Sequence, residues 1–408
     1  MTDATESTWS INIGVPICGF CMDDFQDLVV VMTTSHQSPR RDIHFLSMQT
    51  GNPHADAKSS LVSEEIAEIQ PRDCGCRIEI HGERVAIHFK GATLPEVADS
   101  TSVVIIWNWK TGERLARLGS DEGALFNSFC FLSPSHLLVG RRIGPEYAAT
   151  FAWLEVHDFS KGPEHIAIHR FQLPQPQSNI ILSGFKILSE VAPTVSSRAW
   201  RPFYTSPANR ICMIQVEYEI MSMNQSVNYI VFASTFLGLL PKAESPSESA
   251  EGGDFLCAST VPWKDWSPHA CIMVEEPSPG LDKVVTCGTR IVRLLDTSNW
   301  FRYQIQILDF NPYASSQVKG VVGSKDNEKP PKARQPLEYE DRCPKSTAVT
   351  HEYVEPHVIF ESIFENPVFS ALPYLATTTV ETFPIDDVMV DFENIYLTNP
   401  HGIRVLSF

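Results

Sequence analysis

The sequence predicts an all-β chain folded as a single β-propeller of about six four-stranded blades. Three observations predict it. Runs of β-branched and aromatic residues recur along the whole length, long windows with helical periodicity are missing, and a pairing of two strands repeats six times.

Trp9–Ile13 is the earliest strand-like segment and stands ahead of the first pair. In each pair a polar turn introduces the leading strand: Gln26-Asp27 before Leu28–Met32, Gly82-Glu-Arg84 before Val85–Phe89, Pro134-Ser-His136 before Leu137–Val139. Pro207–Arg210 stands likewise before Ile211–Val216, Asp282-Lys283 before Val284–Cys287, and Glu393-Asn394 before Ile395–Leu397. The partners follow at Ile43–Met48, Val103–Trp109, Phe151–His157, Tyr229–Ala233, Tyr303–Phe310 and Ile403–Phe408. Phe301–Ile307 alternates apolar and polar side chains, as a half-buried strand does. Ser63–Ile69 is the best helical candidate, and it is short.

Repeated antiparallel sheets that must bury both faces suit blades packed around an axis; two sandwiches are the structural alternative. Ile403–Phe408 reads as the third strand of its blade, and Trp9–Ile13 has no other blade to join. Pairing the N- and C-terminal strands in one sheet is therefore expected to close the ring, making residues 1–408 one domain. Within it, 241–254 and 314–346 are rich in Ser, Glu, Lys and Pro and poor in strand formers, so both are expected to be flexible insertions.

Charge narrows the partners. The chain carries 49 acidic and 32 basic side chains in 408 residues, a net charge of −17. Such a chain repels phosphate backbones and anionic lipid, which excludes nucleic acid and membrane surfaces as partners for its bulk. At 43% hydrophobic it has enough apolar material for a core. The start, Met1–Thr8, is acidic and polar, unlike a secretory signal, and Tyr229–Leu240 falls short of the ~20 residues a membrane span needs. The ten cysteines then read as reduced thiols in a cytoplasmic or nuclear protein, and the sequon at Asn224 as idle.

Catalytic motifs are missing: there is no phosphate-cradling glycine loop, no His-Glu-x-x-His and no Gly-x-Ser-x-Gly. Cys18-Gly-Phe-Cys21 and Cys74-Gly-Cys76 have the spacing of metal or redox pairs. Cys18 and Cys21 lie in a strand-like run, however, where residues three apart point to opposite faces, so small buried thiols are the expected role. His351-Glu-Tyr-Val-Glu355-Pro-His357 crowds imidazoles and carboxylates at a spacing that fits no single face. Asp23-Asp24 and Asp386-Asp387 read as turn formers ahead of strands, and Trp263 with Trp266 as packing between blades rather than an exposed anchor. No residue is assigned a catalytic, cofactor-binding or metal-binding role, and no cofactor is expected.

One segment carries a resemblance. Val103-Val-Ile-Ile-Trp107-Asn108-Trp-Lys-Thr111-Gly112 closely matches the third strand and turn of a WD repeat, with Asn where Asp is usual. Ile43–Gly51 is a weaker copy with the same Thr-Gly turn, and His157-Asp-Phe159 and Leu308-Asp-Phe310 keep the ending. With Gln26–Met32, Trp263–Pro268 and Leu308–Pro312, the chain resembles the C-terminal propeller of fungal, basidiomycete-type F-box proteins. The resemblance implies a non-enzymatic protein-interaction platform, the substrate-recognition part of a ubiquitin-ligase receptor, whose partners are protein targets. The alternative class is a propeller enzyme, a hydrolase or lyase with its site at the mouth of the central channel. Members of that family carry a helical F-box ahead of the propeller. No such module fits before Trp9–Ile13, so binding to the adaptor of a Skp-cullin-type ligase is not expected of this sequence.

Overall fold

The computed structural model describes residues 13–34, 39–67, 75–91, 102–119, 124–143, 151–162, 165–190, 209–220, 223–241, 257–267, 270–275, 284–297, 302–311, 349–354, 358–359, 363–366, 368–369, 374–390, 394–399 and 402–407. They form an all-β protein of six stacked sheets.

Sheet 1 runs β1 (Ile17–Asp23), β2 (Leu28–Thr34), β3 (Arg40–Ser47) and β4 (Leu61–Glu65), each antiparallel to the next. Sheet 2 repeats the order with β5 (Gly75–His81), β6 (Arg84–Lys90), β7 (Ser102–Asn108) and β8 (Glu113–Gly119). Sheet 3 begins likewise with β9 (Ala124–Ser133), β10 (His136–Ile143), β11 (Phe151–Asp158) and β12 (Ala167–Gln172). The chain then lays down β13 (Ile181–Ser189), β14 (Ile211–Ile220) and β15 (Met223–Phe232) of sheet 4, followed by the short helix α1 (Ala233–Gly238). It returns to sheet 3 as β16 (Cys257–Val261), which pairs parallel with β12. Through the single turn α2 (Trp263–Trp266) it comes back to complete sheet 4 with β17 (Cys271–Glu275).

Sheet 5 contains β18 (Val284–Cys287), β19 (Arg290–Asp296) and β20 (Arg302–Asp309), continued by β21 (Val349–Val354), which pairs with β24 further along. A small ribbon, β22 (Val358–Ile359) with β23 (Val368–Phe369), precedes β24 (Tyr374–Thr379) and β25 (Phe383–Pro384), both of which pair with β20. Sheet 6 has three strands, β26 (Asp387–Val390), β27 (Asn394–Asn399) and β28 (Gly402–Ser407).

The two-residue period of a strand explains the stack, because alternate side chains serve opposite faces. Leu28, Val30 and Met32 of β2 meet Val85, Ile87 and Phe89 of β6 in one core, while Val104 and Ile106 turn the other way to meet Leu137 and Val139 of β10. Leu138, Leu154 and Val156 then meet Ile214, Val216 and Val227 of sheet 4. Ile211 and Met213 pack on Ile291 and Leu308, and Val292 and Leu294 pack on Val388, Ile395 and Leu397. Five cores thus join six sheets in chain order. The first strands of successive sheets also neighbour one another, β1 beside β5, then β9, β13, β18 and β26 in turn.

A backbone bond repeats with the sheets. The N–H just past the third strand donates to the carbonyl just before the second: Met48 to Asp27 at 2.8 Å, Trp109 to Glu83 at 3.1 Å, Phe159 to Ser135 at 3.0 Å, Ala233 to Arg210 at 3.0 Å and Phe310 to Thr289 at 3.0 Å. The Thr-Gly turns match as well. Gly51 and Gly112 both take positive φ, 69° and 75°, and donate at 2.8 Å to Ser47 and Asn108 carbonyls, a conformation Gly adopts without steric cost.

Three expectations need correcting. Ser63–Ile69 does not start a helix, since Leu61–Glu65 is the outer strand of sheet 1. Pairing with the free edge of β3, and packing of Val62 on the first core, outweigh its weak local preference. Val284–Cys287 is not the partner of Tyr303–Phe310, because β19 lies between them, entered by a tight turn with Gly288 at φ 60°. The sheets are also not uniformly four-stranded, ranging from three strands in sheet 6 to six in sheet 5. No strand pairing links sheet 6 to sheet 1 among the described residues. Trp9–Asn12 lies outside the described residues, and Ile13 is not in a strand. The insertions expected at 241–254 and 314–346 also lie outside them, Pro241 excepted. Among the described residues no helix is long and apolar enough to cross a membrane.

Candidate functional site

Two polar clusters are built into the sheet stack. The first belongs to sheet 3, where Trp153, Glu155 and His157 alternate along β11 on the face toward sheet 2. Cross-strand register sets Arg141 beside Trp153 and Arg170 beside Glu155. Glu155 accepts from Arg141 Nε at 2.8 Å, Trp153 Nε1 at 2.8 Å, His157 Nε2 at 3.1 Å and Arg170 Nη2 at 3.2 Å. Burial pushes its carboxyl up, but the His157 hydrogen bond and the Arg141 charge outweigh that and hold it well below the usual carboxylate range. Aromatic faces complete the cluster, with Arg141 4.0 Å over the Phe126 ring and Arg170 4.7 Å over Trp153.

The second cluster lies at the first strands of sheets 2, 3 and 4. Arg77, Glu79 and His81 alternate along β5 with Ile78 and Ile80, so they face sheet 3 while the isoleucines serve the first core. Arg77 Nη1 donates to Ser128 Oγ at 2.6 Å and to the Ile187 carbonyl at 2.8 Å, tying β5, β9 and β13 together. Ser128 Oγ also accepts the Ile187 N–H at 2.9 Å. Glu79 Oε1 accepts the Phe131 N–H at 2.9 Å, and the Phe131 ring lies 5.5 Å from His81. Desolvation raises the Glu79 carboxyl, and it lowers the His81 and His88 imidazoles to about 3. Next to them, Cys130 of β9 and Cys212 of β14 approach to 3.9 Å between sulfurs. Arg210, two residues before Cys212, donates from Nη1 to the Glu190 carbonyl at 3.0 Å, and Glu190 Oε2 accepts the Gly288 N–H at 2.6 Å, which reaches sheet 5.

The residues singled out in the sequence fall elsewhere. Cys18 and Cys21 do not point to opposite faces. A bulge between Ile17 and Gly19 lets both pack against the core of sheets 1 and 2, as Cys76 does. Burial lifts the Cys21 thiol to about 11, which leaves it protonated at neutral pH. Cys74, Glu355 and His357 lie outside the described residues, as does the side chain of His351 in β21. No group of three or more His, Cys, Asp or Glu among the described residues is placed to hold a metal. Asp23 caps a turn, its Oδ1 accepting from the Phe25 N–H at 3.0 Å and the Gln26 N–H at 3.3 Å, and Asp387 accepts from the Val388 N–H. Trp266 is buried, donating Nε1 to the Gln172 carbonyl at 2.9 Å, and Trp263 packs edge-on to it at 4.9 Å. Packing is their role.

Neither polar cluster was singled out by reading the sequence. The available signal was the alternation Arg77-Ile-Glu79-Ile-His81, in a strand whose second half is buried, and Trp153-Leu-Glu155-Val-His157, in a strand buried on both faces. No model of a known protein family matches the chain, and no curated protein matches it significantly.

Proposed function

We propose that this chain is a protein-interaction platform on a single six-bladed propeller, acting in the cytoplasm or nucleus without catalysis of its own. The observation that carries the reading is the stack itself: six sheets that each open with three consecutive antiparallel strands, joined core to core in chain order, with their first strands side by side. Such a scaffold holds many connections of varied sequence on a rigid support, an arrangement suited to recognising proteins. The WD-like turn after β7 supports the link to fungal F-box-type receptors, and with it a role in selecting protein targets.

Ring closure belongs to the same proposal. The outer face of sheet 1 presents Phe20 and Met22, and that of sheet 6 presents Met389, Ile403 and Val405, all exposed. Packed on each other, these faces would make the sixth core that a ring requires. The propeller-enzyme alternative has less support. Glu79, His81 and Arg210 are the best acid–base set near the first strands, yet each is more than nine-tenths buried.

Hydroxyl-radical footprinting of the full chain tests the ring. Phe20 and Ile403 are 63% and 65% exposed as open faces and should be protected in a closed ring; strong labelling of both would refute closure. For function, the tagged chain should recover specific protein partners without the ligase adaptor. Direct saturable adaptor binding, or turnover of a small substrate, would overturn the reading.

A further inference from the structure

Arg210 stands out in the second cluster. Its side chain belongs to a residue only 3% exposed, and its Nε and Nη2 have no hydrogen-bond partner. Arg84 stands opposite His81 in the β5–β6 register; its Nε and Nη1 also lack hydrogen bonds, and Nη1 is ion-paired with Glu83 Oε2 at 3.8 Å. His81 Nδ1 is unpartnered too. The contacts from Cys212 to Cys130, and from Phe131 to both Glu79 and His81, bring these groups together across sheets 2, 3 and 4. Arg210 acts electrostatically on Glu79, His81, Cys130 and Cys212 alike, and Arg84 acts on His81. A buried guanidinium without a counter-ion is costly, and unmade donors of this kind mark the place of an ion or ordered water.

We propose that a small inorganic anion binds between Arg210 and the Arg84–His81 pair. Arg210 and Arg84 leave four guanidinium donors unmade; Arg84 has Glu83 as an ion-pair partner, Arg210 has no carboxylate in ion-pair contact among the described residues, and the buried Glu79 Oε2 lies 3.9 Å from Arg77 Nη2. Water alone would satisfy the hydrogen bonds but not the charge of Arg210. Burial of Arg210, His81 and Glu79 limits the occupant to a few atoms, as in a halide or phosphate. Desolvation raises the Glu79 carboxyl, which lessens its repulsion of an anion there. The bound anion would act as a bolt between sheets 2 and 4.

The test is thermal unfolding of the full chain, dialysed free of chloride and phosphate, against rising sodium chloride or inorganic phosphate. Sodium gluconate at matched ionic strength is the control. The midpoint should rise by a few degrees with the logarithm of chloride or phosphate and stay flat in gluconate. Whichever of the two anions gives the shift identifies the occupant as halide or oxoanion. Arg210→Gln should abolish the dependence. If that variant does not fold, Arg84→Gln, at a partly exposed position, should weaken the apparent affinity at least tenfold. An equal rise in gluconate, no rise in any salt, or an unchanged response in Arg84→Gln would each overturn the proposal, leaving ordered water as the occupant.

Discussion

Glu155 accepts four hydrogen bonds inside sheet 3, and that sets what its removal does. Glu155→Ala leaves the Arg141 side chain, only 3% exposed, without its carboxylate, and should cost about 3–5 kcal/mol in urea unfolding. Replacing Glu155 and Arg141 together by Met should cost much less than the sum of the single losses. The buried histidines make a second prediction, in pH. His81 and His88 fall from 6.5 to about 3 on folding, so the unfolded chain binds their protons first as pH drops. Their stability is complete above about pH 6.5 and is lost as pH falls toward 3, at a cost of about 2 kcal/mol each by pH 5. Glu79 runs the other way, its raised carboxyl weakening the fold as pH climbs past its unfolded value. The comparison to make is therefore wild type against His88→Gln, whose unfolding midpoint should depend less steeply on pH between 7 and 5. These groups were hard to see in the sequence because a polar residue every second position ordinarily marks a solvated face. Here a neighbouring sheet covers that face.

At the scale of the element, close approach between sheets is the sensitive quantity. Gly140 of β10 faces the Phe185 ring of β13, and an added Cβ would overlap that ring. Gly140→Ala should therefore cost about 1–3 kcal/mol, with part of the loss recovered in a double variant carrying Phe185→Leu. Equal loss in the double variant would show that the two sites are not coupled. Most second and third strands were legible because their apolar runs are long and their turns carry Asp, Asn or Gly; Leu28–Met32 and Val103–Asn108 are buried throughout. The outer strands were not. Leu61–Glu65 has no strong strand formers beyond Val62, and the bulge at Cys18 depends on pairing rather than on local sequence. Nothing local announces that Cys257–Val261 returns to β12, since three strands of sheet 4 lie between the two segments in the chain.

For the whole molecule, the proposed ring closure is what the ends of the chain test. Closure predicts that deleting Met1–Gly14 lowers the unfolding midpoint of the entire chain in one transition; a truncated chain that melts like the full one would rule out any closing role for that segment. Sheets 3 and 4 should exchange amide hydrogens as one unit, because β16 and β17 belong to different sheets although they lie close in sequence, with α2 between them. That crossing has a consequence during synthesis. At ~5–20 residues per second a ribosome delivers β12 on the order of ten seconds before β16. Throughout that interval the outer edge of sheet 3 hangs open beside the exit tunnel, a hydrogen-bonding edge without its parallel partner. The nascent chain passes through a window in which β12 can pair with the wrong strand, and a chaperone that binds extended edges would find its substrate there.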